Sequence, residues 1–360
     1  MATKPTSPHT TTLQATCHCH TFSQTLTLPN TAFPLKSSIC QCNTCRHVTA
    51  QLLSTFAVIP GPLPDACFFT HLAKYESTKG FERWFCPVCG ASVLNVERRK
   101  GGTEVAEWEF ATGVLEFPEQ EKLGKGPLDG RLSRALMWVA DTTDGGAVGW
   151  VNNGRGGEGL PGGRFMKGRD SETISDTTAM EMMVSNAKGL ASSPKEDDVL
   201  RVHCHCRRVQ LTIHAPSPAA NPKDSSAEFC ACTSCRKSSG FEITSWAHVA
   251  KDKVTTTDGR PHTEILTELA HYESSMGTHR YFCKTCGATI AYDRDDLKRL
   301  DLALGLMDDG KGSGRFDEWF TWNPDGEGVA YMEDARDRGF VSRLAEGVGR
   351  DTTRRDQGRR

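Results

Sequence analysis

Seven cysteines in one order, met twice, constrain this chain more than any other feature. The first run reads Cys17-His-Cys19, then Cys40-Gln-Cys42-Asn-Thr-Cys45-Arg, then Phe85-Cys86-Pro-Val-Cys89-Gly. The second reads Cys204-His-Cys206, then Cys230-Ala-Cys232-Thr-Ser-Cys235-Arg, then Phe282-Cys283-Lys-Thr-Cys286-Gly. Of the 15 cysteines only Cys67 is left over, and it reads as a small buried apolar residue. Other residues repeat with them. Leu72-Ala-Lys-Tyr-Glu-Ser77 matches Leu269-Ala-His-Tyr-Glu-Ser274, and Arg83-Trp-Phe-Cys86 matches Arg280-Tyr-Phe-Cys283. DGGAVGW (144–150) is paired with DGEGVAY (325–331), and Trp138 falls opposite Trp319. Self-similarity over such distances means two tandem domains, not a short-repeat solenoid.

The expected layout is a disordered N-terminus over 1–11, a first domain over 12–155, a linker over 156–198, a second domain over 199–345 and a disordered basic tail over 346–360. NGRGGEGLPGGR (153–164) is too rich in glycine to hold one conformation. SETISDTTAMEMMVSNAKGL, which follows, reads as one short helix. Inside the copies the pattern is mostly strand. FSQTLTL (22–28) and VQLTIHA (209–215) alternate apolar and polar residues directly after each CxC. RWFCPVCGASVL (83–94) reads as a strand, a metal-binding turn and a second strand.

Composition narrows the function classes. The formal charge of −2 and the absence of a dense basic stripe with interleaved aromatics give no support to a nucleic-acid partner. There is no 18-residue apolar run, and the polar, Thr-rich start lacks a secretory core. The chain reads as cytoplasmic, with the nucleus left open. In a reducing compartment, thiols clustered as CxC and CxxC are metal ligands rather than disulfides.

Ligand counting divides the cysteines. A CxC on a strand and a CxxC followed by Gly supply two sulfurs each, and together make the closed tetrahedral set of structural zinc. Cys17, Cys19, Cys86 and Cys89 are assigned to one ion, and Cys204, Cys206, Cys283 and Cys286 to its counterpart. The triads Cys40, Cys42, Cys45 and Cys230, Cys232, Cys235 have three sulfurs each. Three thiolates leave the open position of a catalytic zinc. The remaining alternatives are a shared bridging thiolate and a fourth ligand from elsewhere. His47 and His71 fail as shared ligands, because Lys237 and Glu268 stand opposite them. His18 and His205 occur in both copies, but a residue between two ligating cysteines on a strand faces away from the metal, in a surface or supporting role. Arg46 and Arg236 follow the triads. They are expected to lower the thiol pKa or to pair with a substrate carboxylate. Tyr75, Glu76, Tyr272 and Glu273 read as strand residues with solvated neighbours. Trp138, Trp319 and Trp322 read as core.

The order CxC, CxCxxC, FCxxCG resembles the glutathione-dependent formaldehyde-activating enzyme (GFA) family, which also includes centromere protein V. The resemblance spans both halves and all seven cysteines of each. It implies a mainly β architecture of two tandem zinc-stapled β-tent domains. It also implies two zinc ions per domain, one structural and one at an open site, with the triads as catalytic cysteines. The implied reaction joins formaldehyde and glutathione to give S-hydroxymethylglutathione, a carbon–sulfur lyase run in reverse, with glutathione as co-substrate. Two readings compete with it: a non-catalytic tandem zinc module docking a protein or nucleic acid, and a thiolate-rich zinc store or redox sensor.

Overall fold

The computed structural model describes residues 9–118, 126, 128–151, 160–179, 181–182, 194–216, 222–323, 326 and 328–358. The protein is mainly β, in two halves that repeat one plan. In the first half, strand Thr10–Thr16 pairs with Ser23–Pro29 on one side and Leu115–Glu116 on the other. A seven-stranded sheet lies over this layer. Its spatial order is Leu132–Met137, Leu35–Cys40, Ser54–Val58, Glu104–Ala111, Ser92–Arg99, Phe81–Phe85 and Ala73–Thr78. The second half has a four-stranded sheet carrying Val199–His203 and Gln210–His214, and an eight-stranded sheet from Ala270–Ser275 to Thr321–Trp322.

Strand alternation explains the layering. In the first large sheet Leu94, Val96, Trp108, Phe110 and Ala57 share one face. That face packs on Leu13, Ala15, Phe22 and Leu28, all buried. Full burial of each large side chain contributes roughly 1.5–3 kcal/mol. The other face carries Arg83, Asn95 and Glu109 in one row. A sheet with one apolar and one polar face needs a partner for the polar side, and here it turns toward the other half of the chain.

The halves interlock about a local pseudo-twofold. Gly113 N–H donates to Gly240 O at 2.8 Å, and Gly305 N–H donates to Ala50 O at 3.0 Å. A Cβ on Gly113 would sit 2.5 Å from the Gly240 carbonyl carbon, and one on Gly305 2.6 Å from that of Ala50. Only glycine permits this approach. Arg134 crosses the boundary to Glu242 at 2.6 Å and to Asp337 at 2.8 Å, with Arg134 and Glu242 out of water and Asp337 nearly so.

Several sequence expectations are corrected by this arrangement. Met137 pairs with Cys40 and Ala330 with Cys230, both in parallel register. The next residues, Trp138 and Tyr331, are both left-handed, with φ of 63° and 57°. Asp141 and Asp334 then accept from the first N–H of each triad helix. So ALMWVAD (135–141) corresponds to GVAYMED (328–334), and the counterpart of Trp138 is Tyr331, not Trp319. Hydrogen-bond register decides the match, and the DGG/DGE likeness misleads. The tail is ordered over most of its length. Helix Arg338–Gly358 buries Phe340, Val341, Leu344 and Val348 on one stripe, and Asp351 accepts from Trp150 Nε1 at 3.2 Å. Residues 160–176 also pack down: Leu160 and Ile174 are buried, and Leu136 exchanges backbone bonds with Gly163 and Phe165. The rest of the glycine run (153–159), and 183–190 of the expected short helix, lie outside the described residues, while 176–179 and 181–182 are helical. Strand Thr10–Thr16 begins inside the expected disordered N-terminus, of which 1–8 is not described. Cys67 is exposed, not buried, on a surface turn whose Asp65 caps it while Phe68 supplies the apolar anchor. No described helix is long and apolar enough to cross a membrane.

Candidate metal centres

The sheets bring the cysteines into four groups, in each of which the sulfurs all lie within 4.8 Å of one another. Cys17, Cys19, Cys86 and Cys89 form one closed group, and Cys204, Cys206, Cys283 and Cys286 the other. Individual S···S separations run from 3.5 to 3.6 Å. Tetrahedral zinc with Zn–S near 2.3 Å would need about 3.8 Å. The Phe22 N–H points at the Cys17 sulfur at 3.4 Å, as expected where a backbone donor faces a thiolate. The donor set therefore fits a structural zinc. It ties the first strand pair of each half to the turn after Phe81–Phe85 or Thr278–Phe282.

The triads sit where a strand runs into a short helix. Cys40 ends strand Leu35–Cys40, and Cys42 caps helix Asn43–Thr49, its sulfur accepting from Cys45 N–H at 3.2 Å. Cys232 caps helix Thr233–Ser239 in the same way, at 3.3 Å. In each triad the helical cysteine is the one whose pKa is lowered. Hydrogen bonds from Cys40 and Cys42, and then the charge of Arg83, hold Cys45 well below the ordinary thiol range. Cys230, Cys232 and Arg280 do the same for Cys235. Three converging sulfurs, one beside a guanidinium that favours its thiolate, suit a cation with an open position.

The arginines that touch sulfur are not the ones next to it in sequence. Arg83 Nη2 reaches Cys45 Sγ at 3.4 Å, and Arg280 Nη2 reaches Cys235 Sγ at 3.6 Å. Ser77 and Ser274 hold their Nε atoms, each at 3.1 Å. Arg46 and Arg236 are buried and turned away. Arg46 donates to Ser313 O and Asn43 Oδ1, and Arg236 donates to Gly113 O and Glu116. They clamp the halves together, which removes them as free partners for a substrate carboxylate. The signal for Arg83 and Arg280 is their repetition three residues before the first cysteine of each FCxxCG.

The CxC histidines also cross between halves. His18 Nδ1 meets Tyr272 Oη at 2.7 Å, and its Nε2 meets Ser234 Oγ, inside the opposite triad loop, at 3.2 Å. His205 Nδ1 meets Tyr75 Oη at 2.7 Å. Burial lowers the pKa of both imidazoles. The tyrosines are thus half-buried hydrogen-bonding groups, while Glu76 and Glu273 accept from the hairpin N–H of Gly80 and Gly277. Tyr75, Arg83, Asn95, Glu109 and Val58 stand directly opposite one another across five strands. Tyr272, Arg280, Tyr292, Asp301 and His248 form the second such row. Trp138 and Phe241 pack beside Cys40 and Cys45. A cleft of about 320 Å³ lies between the halves, against the stacked rings of His47 and His203 at 4.1 Å, but no triad cysteine lines it.

Fold and donor sets together define a tandem β protein with two closed and two open cysteine clusters. The glutathione-dependent formaldehyde-activating enzyme family matches residues 12–121 and 199–322, one region in each half, and the chain belongs to that family. A search of the curated proteins returns no significant match.

Proposed function

We propose that the protein is a zinc-dependent carbon–sulfur lyase of the glutathione-dependent formaldehyde-activating kind, with a triad site in each of two domains, near 12–155 and 199–345. The observation that carries this reading is a three-sulfur cluster beside an arginine, present in both halves without a fourth cysteine. The expected reaction adds the glutathione thiol to formaldehyde. A C–S bond forms, the carbonyl π bond opens, and the thiol proton ends on oxygen. Zinc held by three thiolates would supply an open coordination position and Lewis acidity. The chain's own part is to favour the thiolate of Cys45 and Cys235 through Arg83 and Arg280, and to shield the site between the two halves. Two ions per domain, four in all, are expected from the four clusters.

Exchange NMR on formaldehyde and glutathione tests it, with zinc-loaded protein compared with a Cys45→Ser/Cys235→Ser double variant. Acceleration that the double variant loses is the expected result. An unaccelerated exchange with full metal content would overturn the proposed substrate.

A further inference from the structure

Each open triad is completed from the other half of the chain. The backbone shows it first. His18 N–H donates to Lys237 O at 3.2 Å, and His205 N–H donates to His47 O at 3.0 Å. Each CxC turn therefore lies on the triad helix of the opposite half. The side chains continue the crossing. His18 bonds Ser234 Oγ, which also receives Arg280 Nη2 at 3.0 Å, and the same Arg280 reaches Cys235. On the other side, Tyr75 holds His205 and shares a sheet face with Arg83, which reaches Cys45. Arg83 and Cys45 lie close enough for their charges to act on the His205 ring.

We propose that His205 is a substrate-binding residue of the Cys40/Cys42/Cys45 site, and His18 of the Cys230/Cys232/Cys235 site, with Tyr75 and Tyr272 as their positioning residues. The assignment rests on the lyase reading for its ligand, a thiol adduct bearing a hydroxyl. With Nδ1 fixed by a tyrosine, Nε2 is the ring atom left to meet that ligand. Among the described residues His205 Nε2 makes no hydrogen bond, and His18 Nε2 has only the Ser234 hydroxyl, which a ligand oxygen can replace. The imidazoles need not ligate the metal, so the three-sulfur count stands. A single domain of this chain would then hold the sulfurs of a site but not its wall.

The pairing is tested in the full-length protein loaded with cobalt(II), whose absorption reports the open triads. Cys45→Ser leaves the second triad as the only open reporter. In that background, with formaldehyde present to form the hydroxymethyl adduct, His18→Gln should weaken binding of the glutathione adduct about tenfold, the upper end for one lost hydrogen bond, and His205→Gln should leave it unchanged. In a Cys235→Ser background the two effects should exchange. Tyr272→Phe should weaken binding in the Cys45→Ser background by a smaller factor, and it provides the check if His18→Gln disturbs the neighbouring closed cluster. Histidines that act on the triad of their own half, or on neither, would overturn the proposal. If glutathione leaves the parent spectrum unmoved, the lyase reading fails separately. Azide, a small anion that takes open cobalt positions, then decides the pairing: in the Cys45→Ser background His18→Gln should weaken its band shift and His205→Gln should not, and the reverse would overturn the crossing as well.

Discussion

The two open triads share their sulfurs, their arginine and their crossed imidazole, and differ in what lies beyond. Past Arg83 the sheet presents Asn95, Glu109 and Val58; past Arg280 it presents Tyr292, Asp301 and His248. Phe241, which packs beside the first triad, follows the helix cap Gly240; the residue after the matching cap Ala50 is Gln51, bonded to Ser245. Residues 165–167 run along Trp138–Ala140 of the first half through Trp138 N–H to Lys167 O and Ala140 N–H to Met166 O. The duplicated features are the ones a metal and a reacting thiol would meet, and the divergent ones are those the rest of a substrate would meet. Under the lyase reading the two sites would share one chemistry behind two different walls, which a tandem copy permits and a symmetric dimer does not.

The comparison requires the clusters to be interchangeable between halves while the closed and open types differ, and that difference carries the largest effect. Cys86→Ser should unfold the first half and Cys283→Ser the second. Structural zinc in small modules supplies about 10–16 kcal/mol of folding energy. Cys45→Ser should leave the first half folded and lower the metal content by one ion. Far-UV circular dichroism with metal analysis checks both. Equal losses of structure in the Cys86→Ser and Cys45→Ser proteins would abolish the distinction between closed and open sites.

A second effect tests where the pseudo-twofold stops. Arg134, Glu242 and Asp337 form a buried charged group across the interface, but the residue two beyond the other helix cap, matching Glu242, is Leu52. Arg134→Met leaves two carboxylates without their cation and should cost about 3–5 kcal/mol in urea denaturation. Adding Glu242→Leu, which copies the other side, should recover part of it. An Arg134→Met protein as stable as the parent would mean that the group contributes nothing to joining the halves.

The parts of this arrangement legible in the sequence are the local ones. CxC, CxCxxC and FCxxCG bring sulfurs together by spacing, so the four clusters and the strand-rich halves could be read directly. Contacts set by register were not legible. Arg46 stands beside Cys45 in sequence, yet its helix turns it into the interface, while Arg83 arrives from 38 residues away through sheet pairing. The inference that His18 faces away from its own metal does not say what it faces, because that depends on how two domains dock. The tail was misread for a plainer reason. Its basic residues mask an apolar stripe that ends at Val348, so the expected boundary at 345 cut a helix in two.

The smallest predicted effect concerns the divergent carboxylates, and here the two sites should respond to different degrees. Burial pushes Glu109 up to about 7 from its ordinary 4.5, and Asn95 is its hydrogen-bond partner at 2.9 Å. The folded protein holds this proton more tightly than the unfolded chain does. Glu109 therefore makes stability fall as pH rises from about 4.5 to about 7, and the penalty is complete above that. The side chain is partly accessible, so the penalty should be about 1–2 kcal/mol rather than the full value of the shift. Glu109→Gln keeps the bond to Asn95 and removes the charge. It should stabilise the protein by that amount at pH 8 and change little at pH 5, as read from urea midpoints. Asp301 is also raised by burial, but it faces Arg299 at 3.1 Å and His248 at 3.8 Å, which offset part of that cost. Asp301→Asn should therefore stabilise the protein at pH 8 by less than Glu109→Gln does. If the two amides stabilise equally, the two rows are electrostatically alike, and the divergence of the walls must lie in shape alone.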